Sequence, residues 1–377
     1  MNHYIKNIYI HDLYHLHDFN IPIADEQTPH LMITGKNGSG KTVLLNALSN
    51  FLDNLKHYSL DFSENGEVSL TFPDTPLVVT FKDEFSQKDF IVAFYQAARM
   101  PKMIEPQSPT KPIYNLNCAA RETVTDQFLN FLSDLKIQEA LARNENQMED
   151  AEEINQWFFN FLDLLCQIFQ DKDLHLKFNY KDYSFRILTE GKEFKFTELS
   201  DGYAAILDIV VDLILKMQAK DSLTRAYQKK GIVLIDEVET HLHLELQKMI
   251  MPFLTKVFPN IQFIITTHSP FVLNSLDNAV AFDLEHREAI SDLTQYSYEA
   301  LAEGYFGVSS ESSYMQMQLE RLESLLQKND LTDSDKYDIR QLVEDLNKVP
   351  ESVSPNLVGA YMTIKNRYAS VLKTVLA

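Results

Sequence analysis

Apolar positions change their period along the chain, and the changes mark out its elements. Residues 4–10 alternate apolar and polar as a half-buried strand does, and 19–23 supplies a hairpin partner ahead of a continuous apolar run at 31–34. A helical pattern starts at Val43. Further strands are expected at 68–72, 77–81 and 90–94; four prolines (Pro101, Pro106, Pro109, Pro112) then interrupt regular structure, and helical sequence resumes from about Thr123 to Phe169. Alternation returns from Leu174 to Phe196 with turns at Lys181-Asp182 and Glu190-Gly191, before a strongly apolar helix from Tyr203 to about Met217.

Two short β-branched runs, Val233-Leu234-Ile235 and Ile261 to Thr266, have the pattern of parallel strands buried on both faces, and one helix lies between them. After a last strand at Val280 to Asp283 the tail turns helical. Its apolar sets are Met315, Leu319, Leu322 and Leu326; Ile339, Leu342, Val343 and Leu346; and Leu357, Tyr361, Ile364, Tyr368 and Val371, the third helix capped by Ser354-Pro355. These helices close the core as a bundle or serve as a docking platform for another protein. The order predicts an α/β fold divided at 1–100, 101–172 (an inserted helical lobe around Trp157, Phe158, Phe159 and Phe161), 173–290 and 291–377 (a helical C-terminal region).

Between the apolar run ending at Thr34 and the helix from Val43 stands Gly35-Lys36-Asn37-Gly38-Ser39-Gly40-Lys41-Thr42, which fits G-x-x-x-x-G-K-[ST] at every fixed position. Glycines there let successive N–H groups face a polyphosphate, and the helix N-terminus opening at Val43 adds positive potential. Lys41 reaches the terminal phosphates and Thr42 can ligate Mg2+. Downstream, Asp236 and Glu237 end an apolar strand, where one carboxylate can hold the magnesium shell with Thr42 and the next can activate the attacking water. Leu199-Ser200-Asp201-Gly202 opens the apolar helix, and the strand at 261–266 runs into Thr267-His268-Ser269-Pro270.

In that order of motifs, with Gln96 after a strand, the chain resembles the ABC-type ATPase heads of the SMC, RecF and OLD group over roughly residues 4–285. The resemblance implies a P-loop head with a mixed, largely parallel sheet and an N-terminal β element, ATP and Mg2+ as cofactors, and ATP hydrolysis. It makes Gln96 the glutamine that senses magnesium and water, Ser200 and Gly202 the contacts to the γ-phosphate held by an opposite subunit, and His268 the switch histidine. Glu239, His241 and His243 would face the partner subunit; Leu244 stands where the family often has proline. Within the group, the runs at 239–243, 266–271 and Tyr305-Phe306-Gly307 are most similar to ATPases of bacterial anti-phage systems, such as the PtuA component of Septu and retron-associated ATPases. That implies a nucleotide-driven switch that pairs with itself and controls a separate effector, expected to be a nuclease. The alternatives are a RecF-like DNA-repair or DNA-clamping ATPase and, third, the ATPase subunit of a membrane transporter.

Composition narrows these readings. The chain has 377 residues, 45% of them apolar, and a formal charge of −20, which opposes whole-molecule attraction to nucleic acid and restricts any DNA contact to local spots such as Arg99 with Lys102 or Lys229 with Lys230. Cys118 and Cys166 form no Cys-x-x-Cys pair, as befits a reducing compartment. Without an apolar leader or a run of about 20 apolar residues, a cytoplasmic protein with no membrane partner is expected. His11, His15, His17 and Asp18 lack the spacing of a metal site and read as a polar hairpin loop; His241 and His243 lack a third zinc ligand. No Asp-x-Asp follows a strand in the helical tail, so no nuclease centre is expected there.

Overall fold

The computed structural model describes residues 4–23, 30–57, 67–72, 90–99, 103–108, 119–218, 228–291, 293–306, 313–328, 330–349 and 354–376. The expected strand at 77–81, Pro101, Pro109, Pro112, Lys102, Cys118 and Gly307 lie outside them. Two compact units divide the chain, Met1–Tyr298 and Glu299–Ala377.

The first unit opens with β1 (Asn7–Leu13) and β2 (Leu16–Pro22), antiparallel to each other, with β4 (Val68–Thr71) on the other edge of β1. Its main sheet has six strands in the order β12-β11-β3-β10-β9-β5: β3 (His30–Thr34), β5 (Phe90–Tyr95), β9 (Lys230–Ile235), β10 (Ile261–Thr266), β11 (Ala279–Asp283) and β12 (Glu288–Ser291). All neighbours are parallel except β12, which pairs antiparallel with β11. Every residue of β3, β5, β10 and β11 is buried, which is why these strands read as unbroken apolar runs. The hairpin strand β12 was not legible, being four residues long with a single large aliphatic, Ile290.

The helices of this unit are α1 (Lys41–His57), α2 (Phe128–Asn144), α3 (Met148–Phe169), α4 (Asp201–Met217), α5 (Leu244–Val257) and α6 (Pro270–Leu273), and α7 (Tyr298–Phe306) begins at the boundary with the second unit. One face of α1 places Leu44, Leu45, Leu48 and Leu52 in a core shared with Ile8, Ile33, Phe94 and Leu234. The inserted lobe is the α2–α3 pair, and it does not stand alone. A small antiparallel sheet of β6 (His175–Asn179), β7 (Ser184–Thr189) and β8 (Lys192–Lys195) packs on it, with Phe158 stacked on Phe185 and Phe128 edge-on to Phe161 and Phe196. Trp157 is buried in that seam, whereas Phe159 is exposed.

The second unit is a bundle of α8 (Ser313–Leu326), α9 (Asp333–Asn347), α10 (Pro355–Arg367) and α11 (Ala369–Leu376), cored by Leu322, Ile339, Leu342, Leu357, Tyr361 and Leu372. Thr332 caps α9 by accepting from the Asp335 N–H, while Ser354 precedes α10 without a side-chain cap. The single third helix expected through Val371 is instead broken at Tyr368. The break turns Leu372 and Val375 inward to the bundle, and Arg340 Nε donates to the Val375 carbonyl at 2.8 Å, satisfying an end group that a straight helix would leave to water.

Candidate nucleotide site

Parallel pairing fixes the site. Ile265 of β10 stands beside both Met32 of β3 and Ile235 of β9, and Ile235 stands beside Tyr95 of β5. The carboxyl ends of four strands are therefore level, and the segments that follow them (Gly35–Gly40, Gln96, Asp236-Glu237, Thr267-His268) leave the sheet along one edge, where open α/β sheets bind ligands.

The loop after β3 is glycine-dependent in the strict sense: Gly35, Gly38 and Gly40 have φ of 134°, 85° and 100°. At Gly40 a Cβ would also come within 2.9 Å of Leu16 and 3.3 Å of the His15 ring, so the β1–β2 turn lies against the loop. His15 thus packs against the phosphate loop. Lys41 is buried, and its Nζ donates to the carbonyls of Gly35 (2.8 Å) and Lys36 (3.0 Å). Burial lowers its pKa even though Glu237, Asp236, Glu239 and Asp283 all favour the cation. No acid occupies the first turn of α1, which leaves its N-terminal dipole for an anion. Ser39 Oγ, buried in the same loop, has no hydrogen-bond partner among the described residues.

Opposite the loop, Thr42 Oγ1 donates to Asp236 Oδ2 at 2.9 Å, and Thr266 Oγ1 donates to Asp236 Oδ1 at 2.6 Å. Neighbouring ligands of an octahedral Mg2+ with metal–oxygen bonds of about 2.1 Å are separated by roughly 2.9 Å. Thr42 and Asp236 thus fit a magnesium ion as hard oxygen donors at the right spacing, with Thr266 fixing the carboxylate from behind. Glu237 follows with φ of 44°, in the left-handed region; its N–H donates to Thr266 Oγ1 and its Oε2 accepts from Thr240 Oγ1. Gln96 is exposed at the end of β5, next to that turn.

His268 is half-buried and donates its backbone N–H to Glu239 Oε1 at 2.5 Å. Burial, and then Lys41, hold its imidazole below the ordinary value, while burial raises Glu239. Ser200 begins α4 as its N-cap without using its hydroxyl on the helix, and it is exposed. Gly202 is buried, and a Cβ there would sit 2.9 Å from the His241 carbonyl, so the start of α4 and the 239–243 segment are in direct backbone contact. Loop, acidic pair and histidine converge in this one unit; Ser200 is exposed beside them, with Gly202 buried behind it against residues 239–243.

Residues 120–274 match the family described as "AAA domain, putative AbiEii toxin, Type IV TA system". Among curated proteins, the chain is 33% identical over 163 residues to the Septu protein PtuA of Bacillus mycoides (strain KBAB4), covering 41% of this chain and 23% of that one. It is 42% identical over 82 residues to the "Retron Ec83 probable ATPase" of Escherichia coli, covering 22% of this chain and 15% of that one. Over these stretches the chain is similar to an AAA-type ATPase domain and to the two named relatives. The matched stretches span less than a quarter of either relative. Among solved structures, a "SmcHead bound to the C-winged helix domain of ScpA" aligns with a TM-score of 0.42 at 14% identity, covering 74% of this chain and 94% of that one.

The head also contains residues that its motifs do not announce. Arg99, which reads as part of a basic surface spot, is buried at 5% exposure and binds the backbone beneath the acidic pair. Asp212 of α4 is wholly buried between Tyr95 Oη (2.6 Å), the Val124 N–H (2.7 Å) and Lys216 Nζ (2.8 Å). Asp208, one turn earlier, has its pKa raised to about 6 by burial and then by Asp212. The available signal was spacing: Asp208, Asp212 and Lys216 recur every four residues on an otherwise apolar helix. Among the described residues no helix is long and apolar enough to cross a membrane.

Proposed function

We propose that this protein binds ATP with Mg2+, hydrolyses it with Glu237 as general base, and uses the cycle to hold or release a separate effector, a nuclease by the reading favoured here, in bacterial anti-phage defence. The observation that supports it most is the Thr42–Asp236 contact of 2.9 Å between the phosphate loop and the strand that delivers Glu237. Mg2+ bound there would supply charge neutralisation on the phosphates. On the terminal phosphates, Lys41 would exchange two carbonyl acceptors for charged oxygens, adding ion-pair attraction to bonds whose donor is already charged. Glu237 takes the proton of the attacking water, and Gln96 orients that water and the ion's shell. His268, its imidazole held toward the neutral form, senses the γ-phosphate.

Ser200 and Gly202 act on the nucleotide of a second copy. The free Ser200 hydroxyl and the N–H groups at the start of α4 form an exposed donor set that suits a γ-phosphate presented from outside. Two heads facing each other would share two ATP molecules, with Glu239, His241 and His243 at the junction. The defence role rests on the named relatives, the Septu protein PtuA and the retron ATPase.

Purified protein tests the chemistry. Lys41→Ala should lose most nucleotide binding, measured with a fluorescent ATP analogue. Glu237→Gln should keep binding within about threefold and lose roughly 100-fold or more in phosphate release. Turnover by Glu237→Gln at the unmutated rate would contradict the assignment of the base.

A further inference from the structure

Arg99 lies outside every motif, and its hydrogen bonds concentrate on three consecutive residues. Nη1 donates to the Asp236 carbonyl at 2.9 Å, and Nη2 to the carbonyls of Glu237 (3.1 Å) and Val238 (3.2 Å); Nη1 also reaches the Gln96 carbonyl at 3.3 Å. The N–H groups of the same turn are held from the other side. Asp236 donates to the Tyr95 carbonyl, Glu237 to Thr266 Oγ1 and Val238 to the Thr266 carbonyl. All six polar groups of this backbone turn are therefore satisfied, and one guanidinium supplies the partner for three of them.

That clamp has a conformational purpose. Three successive carbonyls turned toward one cation are what an ordinary turn avoids, and Glu237 at φ 44° costs on the order of 1–3 kcal/mol unless its surroundings over-determine it. The planar fork of arginine can gather several carbonyls at once; a lysine ammonium is a single point charge and cannot span them. Burial lowers the pKa of this guanidinium, and the charges of Asp208, Glu239, Asp236 and Glu237 oppose that shift.

We propose that Arg99 is a positioning residue that shapes the Asp236–Val238 turn so that Glu237 addresses the attacking water. The inference rests on the reading of Glu237 as the base.

Steady-state and single-turnover ATP hydrolysis by the full-length Arg99→Lys protein tests it, beside Glu237→Gln and the double variant. Arg99→Lys should lower kcat on the order of 10- to 100-fold, the scale of a misplaced catalytic group, with KM and nucleotide affinity within about threefold. Because Arg99 acts through Glu237, adding Arg99→Lys to Glu237→Gln should lower the residual rate no further. If Arg99→Lys does not fold, Arg99→Gln serves in its place, with kcat reduced at least about tenfold and KM within about threefold. A normal kcat in these variants while Glu237→Gln is inactive would overturn the inference alone, as would a double variant slower than Glu237→Gln by the full Arg99 factor. A wild-type rate that survives Glu237→Gln would overturn the reading of the site and the inference with it.

Discussion

At Gly202 two preferences compete. Alanine in place of glycine within a helix ordinarily gains up to about 1 kcal/mol. Here the new Cβ would lie 2.9 Å from a backbone oxygen, that of His241, which cannot swing aside as a flexible side chain would. Overlap of that kind costs typically 1–3 kcal/mol, so the clash wins: Gly202→Ala should lower the thermal midpoint and, by displacing residues 239–243, slow ATP turnover. A midpoint equal to or above that of the unmutated protein would mean that the contact yields easily. The motif residue was legible in the sequence, but its reason was not, because a backbone oxygen carries no residue-type signal. Arg99 is the stronger case. Its partners are carbonyls of residues 96 and 236–238, and any residue type there would present the same oxygen.

Helix α4 unites an N-terminus proposed above to meet a phosphate, an apolar face in the core, and the buried stripe of Asp208, Asp212 and Lys216. Its length and apolarity were plain from the sequence, and the stripe was readable only as spacing. Burial raises Asp208 from 3.8 to about 6, with Asp212 adding repulsion and Thr125, Arg99 and Lys216 opposing. A carboxyl group with a raised folded-state pKa binds its proton more tightly when folded. Its ionisation therefore destabilises the fold progressively as pH rises from about 4 to about 6, and fully above that. At about 1.4 kcal/mol per pKa unit the effect is on the order of 2–3 kcal/mol. Asp208→Asn, which keeps an acceptor for Thr125, should melt higher than the unmutated protein at pH 8, and the gap should close toward pH 5. A gap that widens on acidification would reverse the sign of this argument.

Across the described residues, the buried strands β3, β5, β9, β10 and β11 were legible as short apolar and β-branched runs, because buried parallel strands leave that mark in sequence. Short or turned elements were not. The hairpin strand β12 and the break at Tyr368 depend on what packs against them, and the β6–β8 sheet joins the helical lobe through aromatic contacts that no periodicity encodes. Nor can sequence or one chain decide how two heads meet. Reciprocal use of phosphate loop and Ser200 surface makes such an interface isologous, and a ligand bound only by the pair draws heads together. Light scattering of full-length Glu237→Gln, which retains ATP, measures this directly. With ATP and Mg2+ its mass should be twice that seen without nucleotide, and adding Ser200→Arg should abolish the increase; the same mass with and without ATP would contradict nucleotide-driven pairing of the heads.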